Sequence, residues 1–330
     1  MSARGLVVLT GADGFAGRAL TFHLRATGVP LRGLVRTLTA ATAARPDVLP
    51  IGDLTTISDA ALMNALRAAE TVVHLAGRAH VMRETATDPL TEFRTINVIA
   101  TERVARAAAI SGATHFVFAS SVKVSGESTA AGAMFGEGDP PDPHDDYAAS
   151  KWEAECMLAD VARETGMPVT ILRLPLLYGP GAKGNIGWLV DAVMHGIPLP
   201  LACIDNRRSL LGAGNFASAV DAVLGHPAPP ARAATTYFVA DPVPVSTPDL
   251  ARAIAVAAGV TARLVPIPLP VLRLACTCVG KAAACDRLTG SLVVDSSAFC
   301  AAFGWRAPRS PADEIADMVR DRRAAWLHPL

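Results

Sequence analysis

LVVLTGADGFAGRAL, residues 6–20, joins a short apolar run to an amphipathic helical pattern through glycines at 11, 14 and 17. Apolar strand, glycine turn and helix in that order suit the pyrophosphate of a dinucleotide. Gly11 allows the tight turn, Gly14 lets backbone approach the phosphates, and Gly17 permits close packing of helix on strand. The helix N-terminus then faces the negative charge. A glycine turn without a ligand has the same local composition, so the remainder of the chain must support the assignment.

Downstream the alternation continues. Strand-like runs are expected at 31–36, 48–54, 71–77, 115–121 and 169–175, after the first at 6–11, with helices closing at Gly28 and Gly112 between them. Strands alternating with helices predict an α/β fold, a Rossmann-type doubly wound parallel sheet. Past residue 176 the rhythm loosens into Pro- and Gly-rich connections, with helices expected near 184–195, 214–224 and 247–258. We therefore expect a dinucleotide-binding domain over 1–176 and a smaller C-terminal substrate-binding lobe over 177–330, with some of its segments returning to the first domain.

Composition narrows the function. The 330 residues carry 30 basic and 30 acidic side chains, so no global field favours nucleic acid or an anionic membrane. Cysteines at 156, 203, 276, 278, 285 and 300 form no CxxC pair and lack histidines at zinc-like spacing; they are expected to be reduced and structural, with no metal. The opening residues have too short an apolar run for a signal peptide, so a cytoplasmic protein is expected. The apolar stretch 264–280 is broken by three prolines and Arg273, which argues against a membrane span.

Two positions bear on the cofactor. Arg36 ends the second strand, where an acid would hold ribose hydroxyls; an arginine there meets a 2′-phosphate instead. No acid stands near it in the sequence, so NADP(H) is favoured, with NAD(H) the alternative. Asp53 is expected at a strand end, able to accept from an adenine amino group, and Ala76 and Gly77 leave room for backbone to pass the cofactor.

DDYAASKWEAE, residues 145–155, sets Tyr147 and Lys151 four apart, on one side of a helix. That spacing alone also describes an ordinary solvated face. In company with the TGxxGxxG-like loop at 10–17, GDL at 52, HLAG at 74, NV at 97, FASS at 118 and LRLPLLYGPG at 172, the chain resembles the extended short-chain dehydrogenase/reductase family of nucleotide-sugar epimerases, dehydratases and reductases. The likeness extends to FGWRAP near the C-terminus.

The resemblance implies roles. Tyr147 becomes the catalytic acid or base, Lys151 holds the nicotinamide ribose and lowers the tyrosine pKa, and Ser121 bonds the reacting oxygen, with Ser120 the adjacent alternative. Phe15, Leu54, Asn97 and Pro175 join the cofactor set, Asn97 by supporting the active-site helix. Lys123, Asn185, Arg208 and Arg287 fall where relatives hold the substrate, arginine suiting diphosphate oxygens by its fork of donors. A homodimer through the Tyr147 helix and the helix over 89–110 is also implied.

Dehydratases of this family carry an Asp-Glu pair just after the catalytic Ser/Thr. Val122 and Lys123 stand there instead, which disfavours dehydration. HLAGRAHVMRE (74–84), SSVKVSGE (120–127), YAASKWEAE and IDNRRSL (204–210) resemble bacterial 4-reductases of UDP-4-keto-6-deoxy-N-acetylhexosamines, which serve surface-polysaccharide synthesis. Ser125 replaces an asparagine of that group; facing the sugar, it would alter substrate identity. A 4-epimerase with tightly bound NAD needs the same parts and is the alternative, whereas a non-catalytic nucleotide-binding regulator would be expected to lose Tyr147, Lys151 or Ser121.

Overall fold

The computed structural model describes residues 4–79, 88–278, 280 and 282–327. Its strands are β1 (Leu6–Thr10), β2 (Leu31–Val35), β3 (Val48–Pro50), β4 (Ala69–His74), β5 (His115–Ser121), β6 (Val169–Leu174), β7 (Leu176–Tyr178), β8 (Leu210–Gly212) and β9 (Ala234–Phe238). The first helices are α1 (Phe15–Ala26), α2 (Ala40–Ala43), α3 (Asp59–Ala65), α4 (Pro89–Arg94), α5 (Ala100–Ile110) and α6 (Asp146–Thr165). After them come α7 (Gly184–Met194), α8 (Ala213–Gly225), α9 (Thr247–Ala258), α10 (Leu269–Cys278), α11 (Ala282–Thr289), α12 (Ser297–Phe303) and α13 (Pro311–Leu327). A π-helical turn, Thr95–Ile99, links α4 to α5, and a 3-10 turn, Val122–Val124, follows β5.

Seven strands form one parallel sheet in the order β3-β2-β1-β4-β5-β6-β9, and β7 and β8 make a separate parallel pair. The chain is thus a doubly wound α/β fold of Rossmann type. Sequence explains the burial: β6 reads VTILRL and is buried at every position, as a strand covered on both faces must be. One core layer packs Leu20 and Leu24 of α1 with Phe216 and Val220 of α8; the opposite layer packs Leu62 of α3, Val104 and Ala108 of α5, and Leu158 of α6. A third cluster joins Tyr178, Leu189 of α7, Ile254 of α9 and Met318 of α13.

Local signals end these elements. Asp145 caps α6 by accepting from the Ala148 amide at 2.7 Å, and Gly166 closes it with φ of 82°. Ser246 caps α9, which also has proline in its first turn and Gly259 past its end. Several strands stop sooner than the apolar runs suggest: β3 ends at Pro50 and β4 at His74. Asp53, Ala76 and Gly77 therefore stand in loops beyond the carboxyl ends, because glycine and the turn at Asp53 interrupt the ladders. The β7–β8 pair and β9 have no counterpart among the expected strands. All six cysteines are free, and no helix among the described residues is long and apolar enough to cross a membrane.

Candidate active site

Gly11 has φ of +69°, and a Cβ on Gly17 would stand 2.0 Å from the Gly11 carbonyl oxygen. No other residue fits at Gly17 without moving backbone. Helix α1 starts from Gly14 with no side-chain cap and no acid in its first turn, so its leading amides are open to an anion. The Arg18 guanidinium reaches back to the Asp13 carbonyl at 2.9 Å. Phe15, half-buried, packs against the third core cluster and joins this loop to the C-terminal elements. The cradle fits a dinucleotide pyrophosphate.

Beside it, Thr10, His74 and Thr101 form a buried chain. The Ala76 amide donates to Thr10 Oγ1 at 3.2 Å, Thr10 Oγ1 meets His74 Nδ1 at 2.8 Å, and His74 Nε2 meets Thr101 Oγ1 at 3.1 Å. Thr101 spends its proton on the Asn97 carbonyl at 2.7 Å, so His74 must donate from Nε2 and accept at Nδ1. Burial, with the Lys151 charge, pulls His74 down to about 3 and keeps it neutral.

Arg36 is exposed beyond β2, and its Nη2 lies 3.8 Å from Asp53 Oδ2. This corrects the expectation of an arginine without an acid nearby: a loop brings the two together across 17 positions of sequence. Asp53 Oδ1 also accepts from the Thr55 amide at 2.8 Å and hydroxyl at 2.7 Å, which lowers its pKa, with Arg36 adding to the effect. Leu54 is half-buried and its carbonyl accepts from Arg103 at 2.8 Å, while Pro175 is buried between β6 and β7.

The carboxyl end of β5 and the first turns of α6 bring the next group together. Strand alternation turns Ser120 and Ser121 opposite ways. Ser121 acts on the Tyr147 phenol electrostatically, lowering its pKa, and its hydroxyl accepts from the Lys123 amide at 3.3 Å. Ser120, 5% exposed, donates to the Glu155 carboxylate instead. Burial pushes Tyr147 up to about 12, against the lowering effect of Ser121. Lys151 is 6% exposed with its Nζ 4.0 Å from the Phe118 ring centre, and burial pulls it down to about 7. Asn97, in the π turn, accepts from the Arg78 amide at 2.8 Å, donates to the Arg78 carbonyl at 3.0 Å and to Ser150 Oγ at 2.9 Å. Ser150 in turn donates to the Tyr147 carbonyl at 2.8 Å, so Asn97 steadies the turn of α6 that carries Tyr147.

The substrate candidates are more scattered. Lys123 binds Glu127 at 2.6 Å and Asp145 at 2.5 Å, tying the 3-10 turn to the α6 cap. Arg208 Nη1 donates to the carbonyls of Arg287 and Gly290, both at 2.9 Å, and the charges of Glu127 and Arg287 both reach it. Arg287 is exposed on α11, and Asn185 is exposed in the first turn of α7. Residues 80–84 of the HLAGRAHVMRE stretch lie outside the described residues.

Ser125 does not face an open site: it is 3% exposed, and its hydroxyl accepts from Arg173 Nη1 at 3.0 Å. The physical reason is a buried Glu155–Arg173 ion pair beneath it, joined through Nη2 at 2.7 Å. Neither Glu155 nor Arg173 is among the residues expected at the site; the one available signal was the acid four residues after Lys151. Among the described residues no cluster of histidine, cysteine or acidic side chains could hold a metal ion.

Comparison with known proteins agrees with this geometry. Residues 7–236 match the family model described as NAD dependent epimerase/dehydratase family. A UDP-glucose 4-epimerase of Vibrio cholerae is 36% identical over 308 residues, covering 92% of this chain and 91% of its own. MoeE5 in complex with UDP-glucose and NAD superposes with TM-score 0.76 at 23% identity, over 98% of this chain and 100% of its own. RMD from Pseudomonas aeruginosa, complexed with NADPH, gives TM-score 0.74 at 22% identity over 97% and 99%. With the glycine cradle under α1 and the Ser121–Tyr147–Lys151 group at the end of β5, the chain belongs to the NAD dependent epimerase/dehydratase family.

Proposed function

We propose that this protein reduces the C4 carbonyl of a nucleotide-activated 4-keto-6-deoxy sugar, UDP-linked, with NADPH favoured over NADH, in surface-polysaccharide synthesis in the cytoplasm. The observation that carries it is the state of Tyr147: half-buried on α6 beside Ser121 and pushed up to about 12, it stays protonated at neutral pH and suits donation to a developing alkoxide. A bound reduced nicotinamide supplies the hydride. Ser121 fixes the carbonyl oxygen, Tyr147 gives it a proton, and Lys151, about half charged at neutral pH, stabilises the negative charge left on the phenol.

Other residues support the reading. Val122 is buried and Lys123 is tied up by two carboxylates, so the positions where dehydratases carry acids offer none here. Exposed Arg36 favours a 2′-phosphate that competes with Asp53 for its guanidinium. Burial pulls Arg208 below its ordinary value, a cost that a substrate diphosphate beside Arg208 and Arg287 would relieve. Asn185 and Lys123 complete the substrate set, and exposed Ile99 and Ile110 flank a homodimer face on α4, α5 and α6.

A second reading, a 4-epimerase holding NAD tightly, is favoured by the 36% identity to the Vibrio cholerae UDP-glucose 4-epimerase. One experiment separates them. Purified protein, given a UDP-4-keto-6-deoxy-N-acetylhexosamine made in place by a dehydratase, should consume one NADPH per sugar reduced. Interconversion of UDP-glucose and UDP-galactose without added nucleotide would establish the epimerase instead.

A further inference from the structure

Glu155 follows Lys151 by one helical turn on α6, so the two side chains share a face. It is 3% exposed and held from two other elements. On β6, Arg173 donates from Nη2 at 2.7 Å and from Nε at 3.1 Å; on β5, the Ser120 hydroxyl donates as well. Arg173, itself 4% exposed, spends Nη1 on Ser125 just past the 3-10 turn. One carboxylate thus ties α6, β5 and β6 together at the residue next to Ser121. A buried ion pair is a poor means of stabilising a core, since apolar residues of like volume do as well. Its placement beside Lys151 gives it another use.

We propose that Glu155 is a positioning residue for the reaction: through Ser120 it sets the end of β5 that presents Ser121, and its negative charge holds the Lys151 ammonium protonated. The surroundings of Lys151 leave that task to Glu155. Tyr147 on the same helix is a neutral phenol, and Phe118 on β5 offers a ring face. His74 on β4 is neutral, Arg173 on β6 opposes a second cation, and Asp145 at the helix cap is taken by Lys123. Burial drives Lys151 down to about 7, and Glu155 is the charge opposing that fall. Near its midpoint, a small loss of field removes much of the ammonium.

The inference rests on the reductase reading only for the use made of Lys151; its test needs neither substrate nor turnover. The chain holds four lysines, at 123, 151, 183 and 281. Carbon-13 labelling at lysine Cε therefore gives four resonances, with that of Lys151 identified by its loss in Lys151→Met. Each is titrated from pH 5 to pH 10 in the full-length protein, with melting and dinucleotide binding as checks of the fold. The native midpoint should lie near neutral pH; in Glu155→Gln it should fall by about one pH unit or more, as for loss of an adjacent opposite charge. Glu155→Asp keeps the charge and should return the midpoint toward the native value. Should Glu155→Gln fail to fold, Glu155→Gln with Arg173→Met leaves no unpaired buried charge and should still show a downward shift, smaller than that of Glu155→Gln alone because the opposing Arg173 cation is lost with it. An unchanged midpoint in either folded variant, or equal shifts in the Asp and Gln variants, overturns the proposal. Native protein that leaves the 4-keto sugar unreduced while the midpoint still shifts would sink the reductase reading and leave this one standing.

Discussion

On the proposed reading, Tyr147 concentrates the chemistry of the site in one hydroxyl. Its environment raises the pKa, which keeps the side chain protonated at neutral pH and suits it to donate. Tyr147→Phe deletes that proton while keeping the ring against Phe93, 6.0 Å away between centres, so dinucleotide affinity should stay nearly intact. Turnover should fall by about 10²–10⁴-fold, the usual worth of a general acid. Dinucleotide titration and single-turnover rates on the variant check both halves; a variant with most of its activity would remove Tyr147 from the chemistry. At this scale the sequence is legible where a spacing recurs with a reason, as for Tyr147 and Lys151. Glu155 was illegible because a third polar residue on a polar helix looks like one more solvated side chain. Only the approach of Arg173 from β6, 18 positions further on, reveals that the face is buried. Ser125 misleads for the same reason: which way a loop serine points depends on a partner far off in the chain.

The proposed cofactor contacts lie at strand ends, and β2 offers the clearest test. Arg36 and Asp53 approach to 3.8 Å with the arginine side chain 67% exposed, a weak surface pair that an anionic ligand can replace. Arg36→Asp removes a charge-assisted contact and sets two carboxylates side by side, so NADPH should weaken far more than NADH, by about tenfold or more for loss of one charged hydrogen bond. Equal losses for both nucleotides in a binding titration would show that Arg36 does not read the phosphate. Elements of the first half were legible because each strand has an apolar run and each helix a cap or a terminal glycine. The three-residue strands β7 and β8 were not, since three residues hold no period to detect. ATTYF of β9 is a sheet-edge strand, mostly half-buried, and lacks the continuous apolar run that marks its neighbour β6. The π turn at Asn97 was hidden inside what reads as one helix from 89 to 110; the widened turn lets Asn97 reach both the Arg78 backbone and Ser150.

Across the whole molecule, two histidines sit inside the sheet as neutral groups and make its stability depend on acid. His115 on β5, 4% exposed, meets Thr170 Oγ1 on β6 at 2.8 Å, and burial pulls it from 6.5 down to about 4. His74, next to it in the sheet order, is pulled to about 3. The unfolded chain takes up protons at both below its ordinary value of 6.5, while the folded chain does not until the depressed values are reached. Stability is therefore complete above about 6.5 and declines as pH falls toward 4, by at most about 1.4 kcal/mol per pH unit for each histidine. Asp241 and Glu314, buried beside α8 and raised by desolvation, act with the opposite sign, so a variant rather than the native curve isolates the effect. His115→Gln should be the less stable protein at pH 7, having lost a fitted hydrogen bond across β5 and β6. Between pH 7 and pH 5 that gap should close by about 2 kcal/mol, because the variant has no imidazole left to protonate on unfolding. Urea unfolding at pH 7, 6 and 5 reads the gap directly. A gap that stays constant would mean that His115 carries a proton within the folded sheet, and the account of its neutral pairing with Thr170 would fail.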